Sequence, residues 1–354
     1  MVDGAVLYAA QHFLVAENGA SKSNLEIMRA LQGAGLEVRA VYLSGQEPLD
    51  RDTSVAGIRA TRVGIGGVAQ LLSSHKGVVL TQGRLAFRII EYATCPTLFQ
   101  VREPYSHVCS SSATCPDGPG WRDWLHCSMN CLSSNLTYKK NKPAFEKATR
   151  VVANSEWMRD VIVRFYGRKD VAVIYPPIKE RPMPNLDLER KRQTGEILMV
   201  GRDRRKGYEI FTNMAAQMIE RKFAFAGTAS EPLSKQWDGF IRFYPPADDV
   251  VEAFENAAVV VCPDQEPPAF NRVPREAYQF GVPVIASGIG GLIESVGYGG
   301  VLVDDYTNSS AFIIEVDNLL RDAARYRQAV GCALTAAENT DTTGVMVEMI
   351  KGMM

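Results

Sequence analysis

The chain has 354 residues and a formal net charge of −1, with 46% hydrophobic and 22% charged residues. That balance is ordinary for a soluble globular protein long enough for two hydrophobic cores, and it excludes a disordered or fibrous chain. No run nears the roughly 18 consecutive apolar residues of a membrane span, and no basic stripe or motif points to nucleic acid.

The apolar run over 5–15 follows Asp3 rather than lysines and lacks a cleavage-site pattern. It reads as a first strand rather than a signal peptide, so the expected compartment is the cytoplasm. In that setting the sequon Asn135-Leu136-Thr137 carries no meaning. A turn is expected at Asn18-Gly19, a helix from Ser23 to Gly33, and a strand over 38–43. Further strands are predicted over 78–81, 97–101, 151–153 and 171–174. The second half repeats the alternation with strands over 196–200, 223–226, 241–244, 259–262, 284–286 and 301–303. Strands separated by helical segments of this length predict βαβ units and parallel sheets buried on both faces.

Between the halves lie Tyr175-Pro176-Pro177 and a charge-rich segment over 179–195. Prolines remove backbone donors and resist helix, which makes this the expected linker. The predicted architecture is therefore α/β, with two doubly wound Rossmann-like domains facing each other across a cleft and ligand at the strand carboxyl ends. The N-terminal domain is expected over 1–178 and the C-terminal domain over 179–335. A final helical segment over 336–354 is expected to pack back on the first domain. Residues 1–180 hold 21 Lys+Arg against 16 Asp+Glu, and the remainder 18 against 24. A basic first half suits an acidic or membrane-bound acceptor, and solvated helix faces explain it equally well.

Two loops concentrate the chemistry. After the strand over 196–200 comes Gly201-Arg202-Asp203-Arg204-Arg205-Lys206-Gly207. Arg202 can fork onto two phosphate oxygens, and Lys206 adds a compact second charge. After the strand over 259–262 comes a run from Pro263 to Ala277 that leads into a helix. Backbone N–H groups there can meet an anion, and Glu276, one turn into the helix, can accept hydrogen bonds from sugar hydroxyls. Gly64-Ile65-Gly66-Gly67 and Gly288-Ile289-Gly290-Gly291 lack the spacing of a dinucleotide fingerprint, and no phosphate-loop lysine motif is present.

In order and spacing the second half resembles the retaining glycosyltransferases of family four, which have the GT-B fold. The matching pieces are Val200-Gly201-Arg202 with Lys206-Gly207, Phe225-Ala226-Gly227-Thr228, the run from Glu266 to Glu276, Gly281-Val282-Pro283-Val284-Ile285-Ala286-Ser287, and Gly290-Gly291-Leu292-Ile293-Glu294 ahead of Gly300-Val301-Leu302-Val303. Asn154-Ser155-Glu156-Trp157 and Tyr175-Pro176-Pro177 extend the likeness into the first half. The resemblance implies metal-independent transfer of a hexose from a UDP- or GDP-sugar to a carbohydrate or lipid-linked acceptor, with peripheral membrane contact allowed. It implies that Arg202 and Lys206 hold the diphosphate and Glu276 the ribose. The backbone of Phe270, Asn271, Arg272 and Val273 would approach the sugar and distal phosphate. Gly19 would stand in the family's flexible glycine pair. Pro268 occupies the place of the family's first glutamate, with Glu266 two residues earlier. Arg102-Glu103 stands where the family often has histidine and aspartate, with His107 following. The candidates at the reacting sugar are therefore Glu266, Arg102 and His107. The competing readings are a non-catalytic nucleotide-sugar-binding protein and a sugar-nucleotide epimerase or phosphorylase of the same fold.

Cys109, Cys115, Cys127 and Cys131 cluster in an insertion over about 103–135, beside His107 and His126. In a cytosolic chain such thiols suit a structural zinc site more readily than two disulfides, with free thiols the other alternative.

Overall fold

The structure is a computed structural model that describes residues 5–10, 19–42, 52–55, 57–63, 65–83, 85–102, 141–182, 184, 186–229, 239–245, 250–338 and 342–354. The chain forms two compact units. One holds the described residues up to Pro177, apart from Gly19, together with Thr342–Met354. The other runs from Ile178 to Asp341 and takes in Gly19.

The first unit is built on strands β1 (Ala5–Ala10), β2 (Glu37–Tyr42), β3 (Asp52–Val55), β4 (Ile58–Arg62), β5 (Val78–Gln82), β6 (Thr97–Val101), β7 (Arg150–Ala153) and β8 (Val171–Val173). Its helices are α1 (Gly19–Gly33), α2 (Ile65–Ser74), α3 (Ala86–Tyr92), α4 (141–147) and α5 (Glu156–Tyr166). The strands lie in the order β3-β4-β2-β1-β5-β6-β7-β8. Every pairing is parallel except β3 with β4 at one edge. Helix α1 begins at Gly19, four residues ahead of the expected start. Helix α5 shows how local sequence sets its own limits. Ser155 caps its first turn by accepting from Met158 N, and Gly167 ends it at φ 70°. Val6, Tyr8 and Ala10 of β1 pack with α1 residues Ile27, Met28 and Leu31 and with Met346, Val347 and Ile350 of the C-terminal helix Thr343–Lys351. Leu7 and Ala9 point to the other face and meet Val68 and Leu72.

The second unit has strands β9 (Glu196–Arg202), β10 (Phe223–Ala229), β11 (Ile241–Tyr244), β12 (Ala257–Cys262), β13 (Val284–Ser287) and β14 (Gly300–Val303). Its helices are α6 (Leu188–Thr194), α7 (Tyr208–Gln217), α8 (Val251–Asn256), α9 (Val273–Tyr278), α10 (Leu292–Val296), α11 (Ser309–Arg321) and α12 (Ala323–Ala337). The order is β11-β10-β9-β12-β13-β14, parallel throughout. Both faces are covered: Ile197, Met199, Val259 and Val261 pack with α7, α11 and α12, while Leu198, Val260 and Cys262 pack with α8, α9 and α10. This double burial is why β9 and β12 read as continuous apolar runs rather than alternating ones. Among the described residues no helix is long and apolar enough to cross a membrane.

Candidate functional site

In an open parallel sheet, ligands bind at the carboxyl ends of the two strands between which the strand order reverses. In the second unit those strands are β9 and β12. The two loops singled out from the sequence follow these strands, and the structure fastens them together. The amides of Gln265 and Glu266 both point to the Arg205 carbonyl, at 2.7 and 3.3 Å. Gly207, at φ 80°, lies against Pro263 so closely that a Cβ would stand 1.9 Å from the Pro263 carbonyl oxygen. The far side of the run is held equally tightly. Gly291 N donates to Pro268 O at 2.8 Å, and a Cβ on Gly291 would meet Ala269 O at 2.0 Å. Gln265 Nε2 reaches the carbonyls of Pro263 and Tyr306.

The cations after β9 have separate tasks. Asp203 caps the 3-10 turn over Arg204–Lys206 and binds the Arg205 guanidinium at 2.9 Å, while Arg204 lies near Glu209 at the surface. Lys206 folds back over Gly201, with Nζ 3.5 Å from Val200 O. The Arg202 guanidinium sits over the rings of Phe243 and Phe225, 5.0 and 5.9 Å from their centroids.

The run after β12 holds a group that pattern reading passed over. Asp264 is 4% exposed, and burial pushes its carboxyl up to about 7 even though the Lys206 charge and an Asn271 hydrogen bond pull it down. Asn271 Nδ2 donates to Asp264 Oδ2 at 3.2 Å, and Asn271 Oδ1 accepts from Val273 N at 3.1 Å. Among the described residues Asn271 is the one non-glycine at positive φ, 65°. The only signal for Asp264 in the sequence was its place directly after a buried strand.

Helix α9, which carries Glu276, has six residues. Its dipole is correspondingly small, and charge on a ligand must fall mainly to side chains. The Val273 N–H already serves Asn271, and the Phe270 and Val273 side chains are buried. Glu276 remains partly exposed and pairs with Arg272, Nε to Oε1 3.1 Å.

The first unit has its own reversal point, between β1 and β5. There the Tyr8 hydroxyl accepts from Asn24 Nδ2 at 2.7 Å and Gln82 Nε2 at 2.9 Å. Burial drives the Tyr8 hydroxyl pKa upward, with the Arg102 charge opposing it. Arg102 donates to Gln100 Oε1 at 3.0 Å. An arginine stays protonated, so Arg102 can stabilise charge and cannot serve as a base. Gly19 opens α1. His107, Cys109, Cys115, Cys127 and Cys131 lie outside the described residues.

Residues 194–322 match the family model described as glycosyl transferases group 1. The whole chain is similar in fold to a sucrose-phosphate synthase from Thermosynechococcus elongatus, with TM-score 0.74, 16% identity and 98% of each chain covered. It is also similar to Anabaena HepE in complex with UDP, with TM-score 0.73, 14% identity and again 98% of each chain. WaaG, a glycosyltransferase involved in lipopolysaccharide biosynthesis, superposes with TM-score 0.70 and 14% identity over 98% of this chain and 100% of its own. The chain has the GT-B fold, and its residues 194–322 are similar to the group 1 glycosyl transferases. A comparison with curated protein sequences gives no match. In this GT-B chain the matched segment spans β9 to β14 and so contains both fastened loops, with Lys206, Asp264, Asn271 and Glu276.

Proposed function

We propose that the protein transfers a hexose from a nucleoside diphosphate sugar with retention of configuration, without a catalytic metal ion, as the resemblance to family four implies. The observation that carries this reading is the pinning of the loop after β9 to the loop after β12, which joins the Lys206 ammonium and the Glu276 carboxylate in one rigid scaffold. Lys206 and Arg202 would neutralise the diphosphate as it departs, an electrostatic task that fixed cations perform without reorganising. Glu276 would accept from the ribose hydroxyls. The Phe270–Arg272 backbone would face the sugar, with Glu266, two residues before the place of the family's first glutamate, the candidate acid at the reacting carbon. Structures of Anabaena HepE hold UDP in one case and UDP-glucose in another, which supports a uridine donor as the first to try. Arg102, at the β6 end of the first unit, would serve an acceptor as a fixed charge. The acceptor is proposed to be a carbohydrate or lipid-linked glycan met in the cytoplasm or at a membrane surface. Cys109, Cys115, Cys127 and Cys131 are proposed as a structural zinc set because four thiolates suit that ion. Elemental analysis showing well under one zinc per chain would remove that part.

A donor panel of UDP-, GDP- and ADP-sugars, read by mass spectrometry, tests the main reading. Transfer or slow hydrolysis of one donor supports it. Isomerised sugar with no release of nucleoside diphosphate would point to an epimerase, and binding without turnover to a non-catalytic binder.

A further inference from the structure

Asp264 is an expensive residue to keep where it is. Its carboxylate lies at the end of β12, almost sealed from water, beside the buried Cys262 on the same strand. An ionised carboxyl in such a place survives only with a counter-charge and hydrogen bonds. The facing groups are the Lys206 ammonium on the turn after β9, the Asn271 amide on its own loop and the Asp203 carboxylate at the turn's start; the Asp203 charge is repulsive. Lys206 is therefore the cation on which ionised Asp264 depends. Asn271 depends on Asp264 in turn. A left-handed conformation is unfavourable for most residues with a Cβ, and Asn tolerates it through local side-chain hydrogen bonds; here both ends of the Asn271 amide are tied, one to Asp264 and the other to Val273 N. Its carbonyl accepts from Ser295 Oγ as well, fixing the loop to α10.

We propose that Asp264 is a positioning residue of the donor site: it holds Asn271 in the left-handed turn and balances Lys206 until a diphosphate engages that ammonium, whereupon the Asp264 carboxyl takes one proton from solvent. The inference rests on the diphosphate role given to Lys206 above. The proton goes to Oδ1, leaving Oδ2 to accept from Asn271, so the loop keeps its shape while one negative charge disappears beside the incoming phosphates. Binding and protonation then assist each other, as linkage requires. With the free carboxyl titrating near 7 and the diphosphate raising it further, affinity falls as pH rises from 7 toward 9. The terminal phosphate, with a pKa near 6, is already ionised there. Cys262 stays a neutral thiol, because burial holds its pKa high.

The test is isothermal titration of UDP, GDP and ADP into the full chain at pH 7, 8 and 9, in buffers of different ionisation enthalpy. For the nucleotide that binds, the expected result is net uptake of a fraction of a proton, largest near pH 7 to 8 and smaller at pH 9, and a Kd that weakens about three- to tenfold across the window. Asp264→Asn keeps an acceptor for the Asn271 amide and lacks the titrating proton, so both the buffer dependence and the pH slope should vanish. Asp264→Ala should weaken binding at every pH, with partial rescue in Asp264→Asn. Buffer-independent enthalpy and flat Kd in the wild type would overturn the proposal, with no need for a variant to fold. A wild type that binds none of the nucleotides would instead overturn the donor reading on which it rests.

Discussion

Arg272 Nε lies 3.1 Å from Glu276 Oε1, one turn apart along the start of α9, and both side chains are largely buried, at 10% and 22% exposed. The pair fixes the carboxylate's direction and leaves one oxygen available to a ligand. Exposed i,i+4 pairs contribute little, but a half-buried one positions its members well. Glu276→Ala should therefore weaken nucleoside diphosphate binding by at least about tenfold, since a hydrogen bond to a charged group is worth about 1.5–3 kcal/mol. Pyrophosphate, which has no ribose, should bind the variant as it binds the wild type. Equal losses for both ligands would show that Glu276 acts on the scaffold rather than on a sugar.

Gly207 separates conformational cost from close approach. Alanine there would adopt φ 80° and place its Cβ 1.9 Å from Pro263 O, so the two loops would have to part. Gly35, at φ 84°, has open space where a Cβ would stand, with nothing within 4 Å, and serves as the control. Gly35→Ala should cost the left-handed penalty of about 1–2 kcal/mol. Gly207→Ala should cost clearly more and also reduce diphosphate affinity. Melting temperatures of the two variants, with a nucleotide titration of each, check this. Similar losses in both would mean the Pro263 contact is easily relieved.

Most of this scaffold can be read from residue order because it rests on local rules. Apolar runs such as Ile197–Val200 and Val259–Cys262 are too short for helices and appear as strands buried on both faces. The β3–β4 pair at the sheet edge went unread: Ile58–Arg62 buries Ile58 and Ala60 and exposes Arg59 and Arg62, and its polarity hides a strand. Helix α1 begins at Gly19 because the first turn of a helix tolerates residues that pattern reading assigns to a turn. The two loops that carry Lys206 and Glu276 were legible because each directly follows a buried strand. Asp264 stood out less, because what sets it apart is its burial within reach of the Lys206 charge, 58 positions away, a relationship created only when β9 and β12 become neighbours.

The Tyr8 hydroxyl is a shared acceptor for Asn24 and Gln82, and it joins α1 to the ends of β1 and β5. Tyr8→Phe removes that acceptor and strands two amides in a buried place, where each unmet donor costs about 1–3 kcal/mol. The variant should lose about 2 kcal/mol or more in urea unfolding. If Arg102 acts on an acceptor beside this cluster, the same change should raise the acceptor KM while leaving nucleotide affinity in the second unit unaltered. A loss of nucleotide affinity would contradict that separation.

Lys191 supplies a pH dependence with a definite sign. Helix α6 carries it inward, 7% exposed, and its ammonium donates to Phe254 O and Ala257 O, each at 3.2 Å, closing the carboxyl end of α8. Burial lowers its pKa to about 8, although Glu255 pulls the other way. In the unfolded chain a lysine titrates near 10.4, so between pH 8 and 10.4 the unfolded state holds more protons than the folded one. Stability contributed at this residue therefore rises with pH through that window and is constant below it. Lys191→Met removes the titration along with both carbonyl bonds. The difference in unfolding free energy, wild type minus variant, should grow from pH 8 to pH 10, with a ceiling of about 1.4 kcal/mol per pH unit. Chemical denaturation at pH 7, 8, 9 and 10 measures it, and a difference that stays level across the series would mean the ammonium keeps its ordinary pKa in the folded unit.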